Sequence, residues 1–430
     1  MLSIHPTSDP ALCNAEHSAG GRKAQLLLQV LRSHVDDTGK KPRPDNAFTY
    51  TKMSISKRML SILLTLSLAL CLMGCSAGGG EGTGELTVTG RLELRYATQF
   101  SVDYCEGGYT LISLADGSRF LVIPEDSRPP KGLDADIVPI YQPVSNIYLA
   151  ATSVMCLFDS LDRLDAIRLS GTKEDGWYIE SAKQAMRDGR ILFAGKYSAP
   201  DYELITAEKC PLAIESMMIG HASDIEDQLE RLGIAVLMDQ SSNEGHPLGR
   251  VEWIKLYGAL LGEEEKADEL FREQTDLLDS ISGEEPPGKT VAFFYVSSTG
   301  RIISRKSGDY VSRMIELAGG EYILDELEDD GSRTSSVTLD PEFFYANARD
   351  ADVIIYNSAI AGEITDVGSL VAKCGLLADF KAVKDGEVWC TEKNMYQEMT
   401  ASGEMIKEIH DILNGDYDEG SGSGFFRRLY

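Results

Sequence analysis

The sequence predicts an α/β protein: two Rossmann-like lobes with parallel sheets, joined by one long helix and preceded by a β-meander. Three observations carry that prediction. Short apolar runs alternate with helical periods over 137–247, and the alternation starts afresh at Thr290, the pattern of parallel sheets with helices on both faces. Between the two passes, residues 248–281 read LGRVEWIKLYGALLGEEEKADELFREQTDLLDSI, with apolar residues at helical spacing. Ahead of both, residues 92–123 alternate apolar and polar residues around the turn pairs Gly107-Gly108 and Asp116-Gly117.

The linking stretch divides in two. Val251, Ile254, Leu256, Leu260 and Leu261 line a first helix that stops at Gly262. A second helix over 263–281 opens on Glu263, Glu264 and Glu265, which suit a helix N-terminus. Ala267, Leu270, Phe271, Leu277, Leu278 and Ile281 give it one apolar face. At 1.5 Å per residue it is about 28 Å long, enough to cross a domain. The first helix is assigned to the first lobe and the second to the gap between lobes.

The 430 residues are 43% hydrophobic and 25% charged, a globular composition with room for two or three domains. From Cys75 onward there are 32 basic and 63 acidic residues. Such a surface repels nucleic acid and excludes it as a partner. Residues 1–52 show no sustained periodicity and are read as an upstream extension outside the mature protein. Residues 53–74, MSISKRMLSILLTLSLALCLMG, pair Lys57 and Arg58 with an apolar run. That run falls short of the roughly 20 residues of a membrane span, so it reads as a secretory signal peptide. Leu72-Met73-Gly74-Cys75 resembles the bacterial lipobox. The resemblance implies cleavage before Cys75, lipidation of Cys75, and an extracytoplasmic protein anchored to the cell membrane. Residues 75–90 are then the lipidated cysteine and a Gly-rich tether. The later cysteines, Cys105, Cys156, Cys210, Cys374 and Cys390, are odd in number and widely spaced, which argues against a disulfide framework or zinc cluster.

Residues 91–247 make the N-terminal lobe with its meander, 248–281 the linking helices and 282–414 the C-terminal lobe. The Gly/Ser-rich tail, 415–430, is expected to be disordered. In the first lobe IVPI (137–140) opens the sheet, YQPVSN is a rim loop, and a helix covers 147–161. AIRLS, ILFAG, LAIES and AVLMD follow as strands. VAFFYV, DVIIYN and EVWCT are the strands of the second. Loops at the strand ends line the rim where open α/β sheets place ligands.

The order of lipobox, α/β lobe, long helix and α/β lobe resembles the substrate-binding proteins of ABC importers for iron complexes and cobalamin. Ala199-Pro200-Asp201-Tyr202-Glu203-Leu204-Ile205, followed by Cys210-Pro211-Leu212-Ala213-Ile214, is similar to one family motif. Asp340-Pro341-Glu342 with Asp350-Ala351-Asp352-Val353-Ile354-Ile355 is similar to its counterpart in the second lobe. Val251-Glu252-Trp253-Ile254 and Glu265-Lys266-Ala267 match the text around the linking helix. Asp201 and Cys210-Pro211-Leu212 depart from the usual Asn and Pro-Asp. The resemblance implies a monomer working with an ABC permease and its ATPase, and makes Glu203 and Glu342 the carboxylates that dock on the permease. Each could instead simply complement a helix N-terminus; their matching positions in the two passes favour docking.

The ligand implied is a siderophore, haem or corrinoid, so any iron or cobalt would arrive with the cargo rather than as a resident cofactor. Tyr141, Trp177, Tyr178, Tyr197, Arg301, Arg305, Lys306 and Tyr396 fall on rim loops as candidate contacts. Flat aromatic faces suit a macrocycle or catecholate, and Arg305-Lys306 suits an anionic chelate. Ser145 and Asn146 join them, where the family's first pocket loop falls. His221, His246 and His410 are too scattered to hold a bare metal ion. No hydrolase, metalloprotease or phosphate-loop motif is present, so the protein is read as a binding protein and not an enzyme. A ligand-sensing receptor, or a surface enzyme on the same scaffold, are the alternatives.

Overall fold

The computed structural model describes residues 86–221, 223–325, 335–418 and 424–430. The upstream extension, the signal peptide, Cys75 and most of its tether lie outside these residues, as does the middle of the acidic loop after Asp325.

The strands form three larger sheets and a two-stranded ribbon. The N-terminal sheet runs in the order Val88–Arg91, Phe100–Cys105, Thr110–Leu114, Arg119–Ile123, Ile137–Tyr141. Its first four strands are antiparallel, as the turn signals require. The fifth corrects the sequence reading: IVPI pairs parallel with Arg119–Ile123 instead of opening the first lobe. Pro139 explains the placement, because a residue without an N–H is confined to a sheet edge. Ile137 and Ile140 face inward while Val138 and Tyr141 stay exposed.

The first-lobe sheet is wholly parallel, in the order Ala235–Asp239, Leu212–Ser216, Ile147–Leu149, Ile167–Ser170, Leu192–Phe193. Its central strand lies where a helix over 147–161 was expected. Ile147, Tyr148 and Leu149 are buried on both faces, and the helix begins only at Met155. A short apolar run has no period that separates a buried strand from a buried helix.

The second-lobe sheet is mixed. Thr290–Val296, Val353–Tyr356 and Val388–Thr391 are parallel. Ile302–Arg305, not among the strands expected from sequence, folds back antiparallel on the first of these, through a turn with Gly300 at φ 77°. Ser336–Leu339 pairs antiparallel with Ile302–Arg305 and so runs parallel to Thr290–Val296. The tail is not disordered where it is described. Phe426–Arg428 adds an antiparallel strand to Val388–Thr391, because Phe425, Phe426 and Leu429 bury their side chains in the lobe.

The linking helices are Pro247–Leu261 and Glu264–Ile281, separated by Gly262 in the left-handed region at φ 77°. They turn back on one another. A Cβ on Gly258 would stand 2.7 Å from the Cβ of Ala267, so the close crossing needs glycine there. The second helix, the strut, also lies against Ser402–Asn414, a helix the sequence reading did not assign. Gln274 Oε1 accepts the Gly403 amide at 3.0 Å.

Pro247–Leu261 is the hub. Every residue in it except Lys255 is buried. His246 caps it by accepting the Leu248 amide on Nδ1 at 3.1 Å. Burial, with Arg313 and Arg95 nearby, pulls the His246 pKa down to about 4, so the ring stays neutral and able to accept. Inside the helix, Glu252 takes the backbone amides of Arg95, Tyr96 and Ala97 at 2.7–2.8 Å. Just before it, Glu244 takes the amides of Thr98 and Gln99 at 3.0 Å and the Trp253 indole N–H at 3.0 Å. Consecutive amides of 95–99 thus bolt the N-terminal sheet to the hub.

Replacing Glu252 by alanine leaves three amides without their acceptor. We expect a loss of about 3 kcal/mol in urea unfolding, given 1–3 kcal/mol per unmet buried group; an unchanged midpoint would contradict the bolt.

Candidate functional site

In both lobes the parallel strands end on one edge. The first-lobe rim consists of the segments after Ser170, Phe193 and Ser216; the second-lobe rim consists of those after Val296, Tyr356 and Thr391. One side chain ties the rims together. Gln397 Oε1 accepts the Tyr178 amide at 2.8 Å, and its Nε2 donates to the Gly176 carbonyl at 2.8 Å. Lower down, the Arg250 guanidinium of the hub lies 3.9 Å from the ring centroid of Tyr310 at the start of a second-lobe helix.

Glu203 and Glu342 occupy matching places. Each lies in the first turn of a helix, Tyr202–Ala207 and Pro341–Ala348. The second helix follows Ser336–Leu339, whose C-terminal end lies on the rim. The first follows the ribbon Gly195–Lys196/Ala199–Pro200 beyond the rim strand Leu192–Phe193. Asp201 caps its helix by accepting the Leu204 amide at 3.0 Å. Both glutamates are exposed, and neither has an ion-pair partner among the described residues. Phe343, beside Glu342, is 45% exposed.

The other expected residues divide. Tyr178 is exposed at the mouth of a cavity of about 570 Å³ that Lys393, Asn394, Tyr417 and Arg427 also line. Tyr197 sits half-buried at the ribbon turn. Arg305 donates to the Tyr396 hydroxyl at 2.7 Å and to Ser335 at 3.0 Å, and lies 3.6 Å from Asp309. Tyr396 also takes a hydrogen bond from Asn357 at 2.8 Å, which binds three elements of the second-lobe rim together. Lys306 is buried beside them. Arg301 turns away to pair with Asp340.

Four expectations do not fit the cleft. Trp177 is 1% exposed and fills the core beneath its loop, so a ligand cannot stack on it. Tyr141 belongs to the edge strand of the N-terminal sheet, and Ser145 and Asn146 lead into the N-terminal end of Ile147–Leu149, the edge opposite the rim. The assignment of IVPI to the wrong sheet moved all three. Among the described residues no three His, Cys, Asp or Glu side chains gather as a metal site.

Sequence reasoning missed Glu215. It stands one residue before the end of Leu212–Ser216, fully buried, with neither carboxylate oxygen hydrogen-bonded. Burial, reinforced by Glu226, pushes its pKa up to about 8. The acidic residue in the apolar run LAIES was the signal.

The two lobes, the helical connection and the shared rim define a bilobal binding protein. The chain belongs to the family described as Periplasmic binding protein, which it matches over residues 169–394; members of that family are substrate-binding proteins and not enzymes. The match begins beyond the N-terminal sheet. An uncharacterized lipoprotein of Methanocaldococcus jannaschii is 24% identical over 331 residues, 74% of this chain and 78% of its own length. A second from that organism is 26% identical over 349 residues, 76% and 85% of the respective chains. Among solved structures, a petrobactin-binding protein of Bacillus subtilis superposes with a TM-score of 0.53 at 12% identity, covering 71% of this chain and 98% of its own. A periplasmic heme binding protein of Vibrio cholerae gives 0.51 at 15% identity, covering 61% and 97%. At these identities the structural likeness is one of fold. No helix among the described residues is long and apolar enough to cross a membrane.

Glu215 makes stability depend on pH. The folded chain holds this proton up to about pH 8, whereas an ordinary glutamate releases it near 4.5. Its contribution is therefore complete below about pH 4.5 and is lost as the pH rises through about 8. Glu215→Gln should raise the urea midpoint at pH 8 and leave it nearly unchanged at pH 4; equal effects at both would contradict a buried neutral acid.

Proposed function

We propose that the chain is the substrate-binding lipoprotein of an ABC importer. It captures an iron complex, haem or a corrinoid between its lobes and delivers it to a membrane permease driven by an ATPase. The observation that carries this reading is the pair Glu203 and Glu342. Each lobe offers one exposed carboxylate, in the first turn of a helix, without an ion-pair partner among the described residues. Two carboxylates held on two lobes suit two basic sockets on one partner. Phe343 adds an apolar contact next to one of them. Cys75 carries the lipid, and the Gly-rich stretch after it lets the lobes stand off the membrane. The lipoprotein relatives, and the petrobactin and heme named for solved proteins of this fold, support the anchor and the ligand class.

A charged pair across an interface is worth enough that losing one partner weakens binding at least about tenfold. Replacing Glu203 and Glu342 together by alanine should therefore leave ligand affinity unchanged and cut transport at least about tenfold. Unchanged transport would remove the docking assignment. For the ligand, residues 76–430 should be titrated with haem, cobalamin and ferric siderophores while absorbance and melting are followed. Stabilisation by one of them is expected; no spectral change and no stabilisation with any would reject the class.

A further inference from the structure

We infer that the second-lobe wall of the cleft holds a subsite for a carboxylate arm of the ligand, formed by Asn357 and Arg305. The inference rests on the binding-protein reading above and narrows its ligand class to complexes that carry a free carboxylate.

A cavity of about 170 Å³ lies among second-lobe residues that include Arg305, the hydrogen-bond partner of Tyr396. Tyr295, Ile303 and Ile360 give it apolar sides, and Arg305, Ser336 and Asn357 bring polar groups to it. Asn357 is the first residue past the rim end of Val353–Tyr356, and its backbone amide is fixed on the Phe294 carbonyl at 2.8 Å. Its side chain is 1% exposed, and its Oδ1 has no hydrogen-bond partner. Ile360 is 52% exposed, so the cavity lies next to an open surface.

The hydrogen bonds decide which atom of the Asn357 amide is left without a partner beside the cavity. The Tyr396 oxygen receives the Arg305 guanidinium at 2.7 Å and the Asn357 amide at 2.8 Å. Burial raises the Tyr396 pKa, so the phenol keeps its proton at neutral pH. With Asn357 as donor, that proton has no acceptor and Oδ1 is orphaned. Oxygen and nitrogen of a side-chain amide are told apart only by their hydrogen bonds. Exchanging them resolves both faults. Arg305 donates to Tyr396, Tyr396 donates to Oδ1, and the buried unpartnered atom becomes the Nδ2 donor.

The subsite then offers an amide N–H next to a guanidinium that still has N–H groups to give. Donors placed side by side suit the two oxygens of a carboxylate. Asp309 Oδ2, 3.6 Å from Arg305, tempers the positive charge, while its Oδ1 accepts the Val311 amide at 2.9 Å, and Lys306, next in the chain to Arg305, is buried. The volume is too small for a macrocycle and right for a short arm whose methylenes would lie along Tyr295, Ile303 and Ile360. A chain with a net charge of −27 repels anions in general. A local pair of donors is what such a ligand would need.

The test uses the purified chain in detergent, with haemin and haemin dimethyl ester as one matched pair. Ferric citrate serves as a second carboxylate complex, and cyanocobalamin and ferrioxamine B as complexes without a free carboxylate. The acid form should bind at least about tenfold more tightly than the ester, the weight of one charge-assisted hydrogen bond. Asn357→Asp, which is isosteric but places a second negative charge at the subsite, should abolish that preference while the melting temperature of the free protein holds. Equal binding of acid and ester, or tight binding confined to the complexes without a carboxylate, would overturn the subsite and leave the transport reading standing. No binding by any of the five would overturn both.

Discussion

Pro247–Leu261 has to bring its charged and aromatic residues into a dry interior, because it is buried on nearly every side. The structure meets that constraint by giving Glu252, Trp253 and Tyr257 hydrogen-bond partners and Arg250 an aromatic ring, although Arg250 Nε makes no hydrogen bond. Glu252 accepts hydrogen bonds from three backbone amides of the N-terminal segment, with Lys255 Nζ 3.8 Å away. Arg250 lies on the ring of Tyr310 in the second lobe. Tyr257 donates to Asp239, the last residue of a first-lobe strand, at 2.8 Å. A buried carboxylate or guanidinium without such a partner would be costly, so the partners must be in place for the helix to be there at all. The N-terminal sheet, both lobes and the strut therefore meet on one element, and their relative positions follow from its polar contacts.

That arrangement bears on function. The strut Glu264–Ile281 is not a bare rod between lobes. It is held along its length by the hub on one side and by Ser402–Asn414 on another. A connection braced in this way permits little hinge motion compared with flexible crossover strands. The cleft is then largely formed before the ligand arrives, and the clasp of Gln397 on Gly176 and Tyr178 shows rims already in contact. The same bracing would fix the separation of Glu203 and Glu342, as the proposed docking on two sockets requires.

Much of this was legible in the sequence, for physical reasons that can be named. Gly262 marked the break between the linking helices because only glycine takes its left-handed conformation without strain. The strands at 290–296, 353–356 and 388–391, and those at 167–170, 192–193, 212–216 and 235–239, were readable as apolar runs between turns. The matching positions of Glu203 and Glu342 were visible as repeated motifs. What escaped was set by tertiary partners. Ile137–Tyr141 had the composition of a lobe strand, but Pro139 and the free edge at Arg119–Ile123 sent it elsewhere, and Tyr141, Ser145 and Asn146 moved off the rim with it. Trp177 looked like a ligand platform and proved to be core. Phe425, Phe426 and Leu429 were masked by a Gly/Ser-rich approach. Asn357 and Glu215 drew no notice, because what sets them apart is an unmet hydrogen bond, which sequence does not display.

The proposed mode of action requires a braced, pre-formed pair of lobes that presents two carboxylates at a fixed spacing. Spin labels placed at positions 203 and 342 would report that spacing directly, with and without a saturating ligand from the panel that stabilises the protein. The account predicts a single distance distribution whose mean moves by less than about 2 Å on binding, as pre-organised partners do. A broad distribution in the free protein that narrows and shifts by several times that amount would show a hinge, and would contradict the role assigned to the hub and its strut.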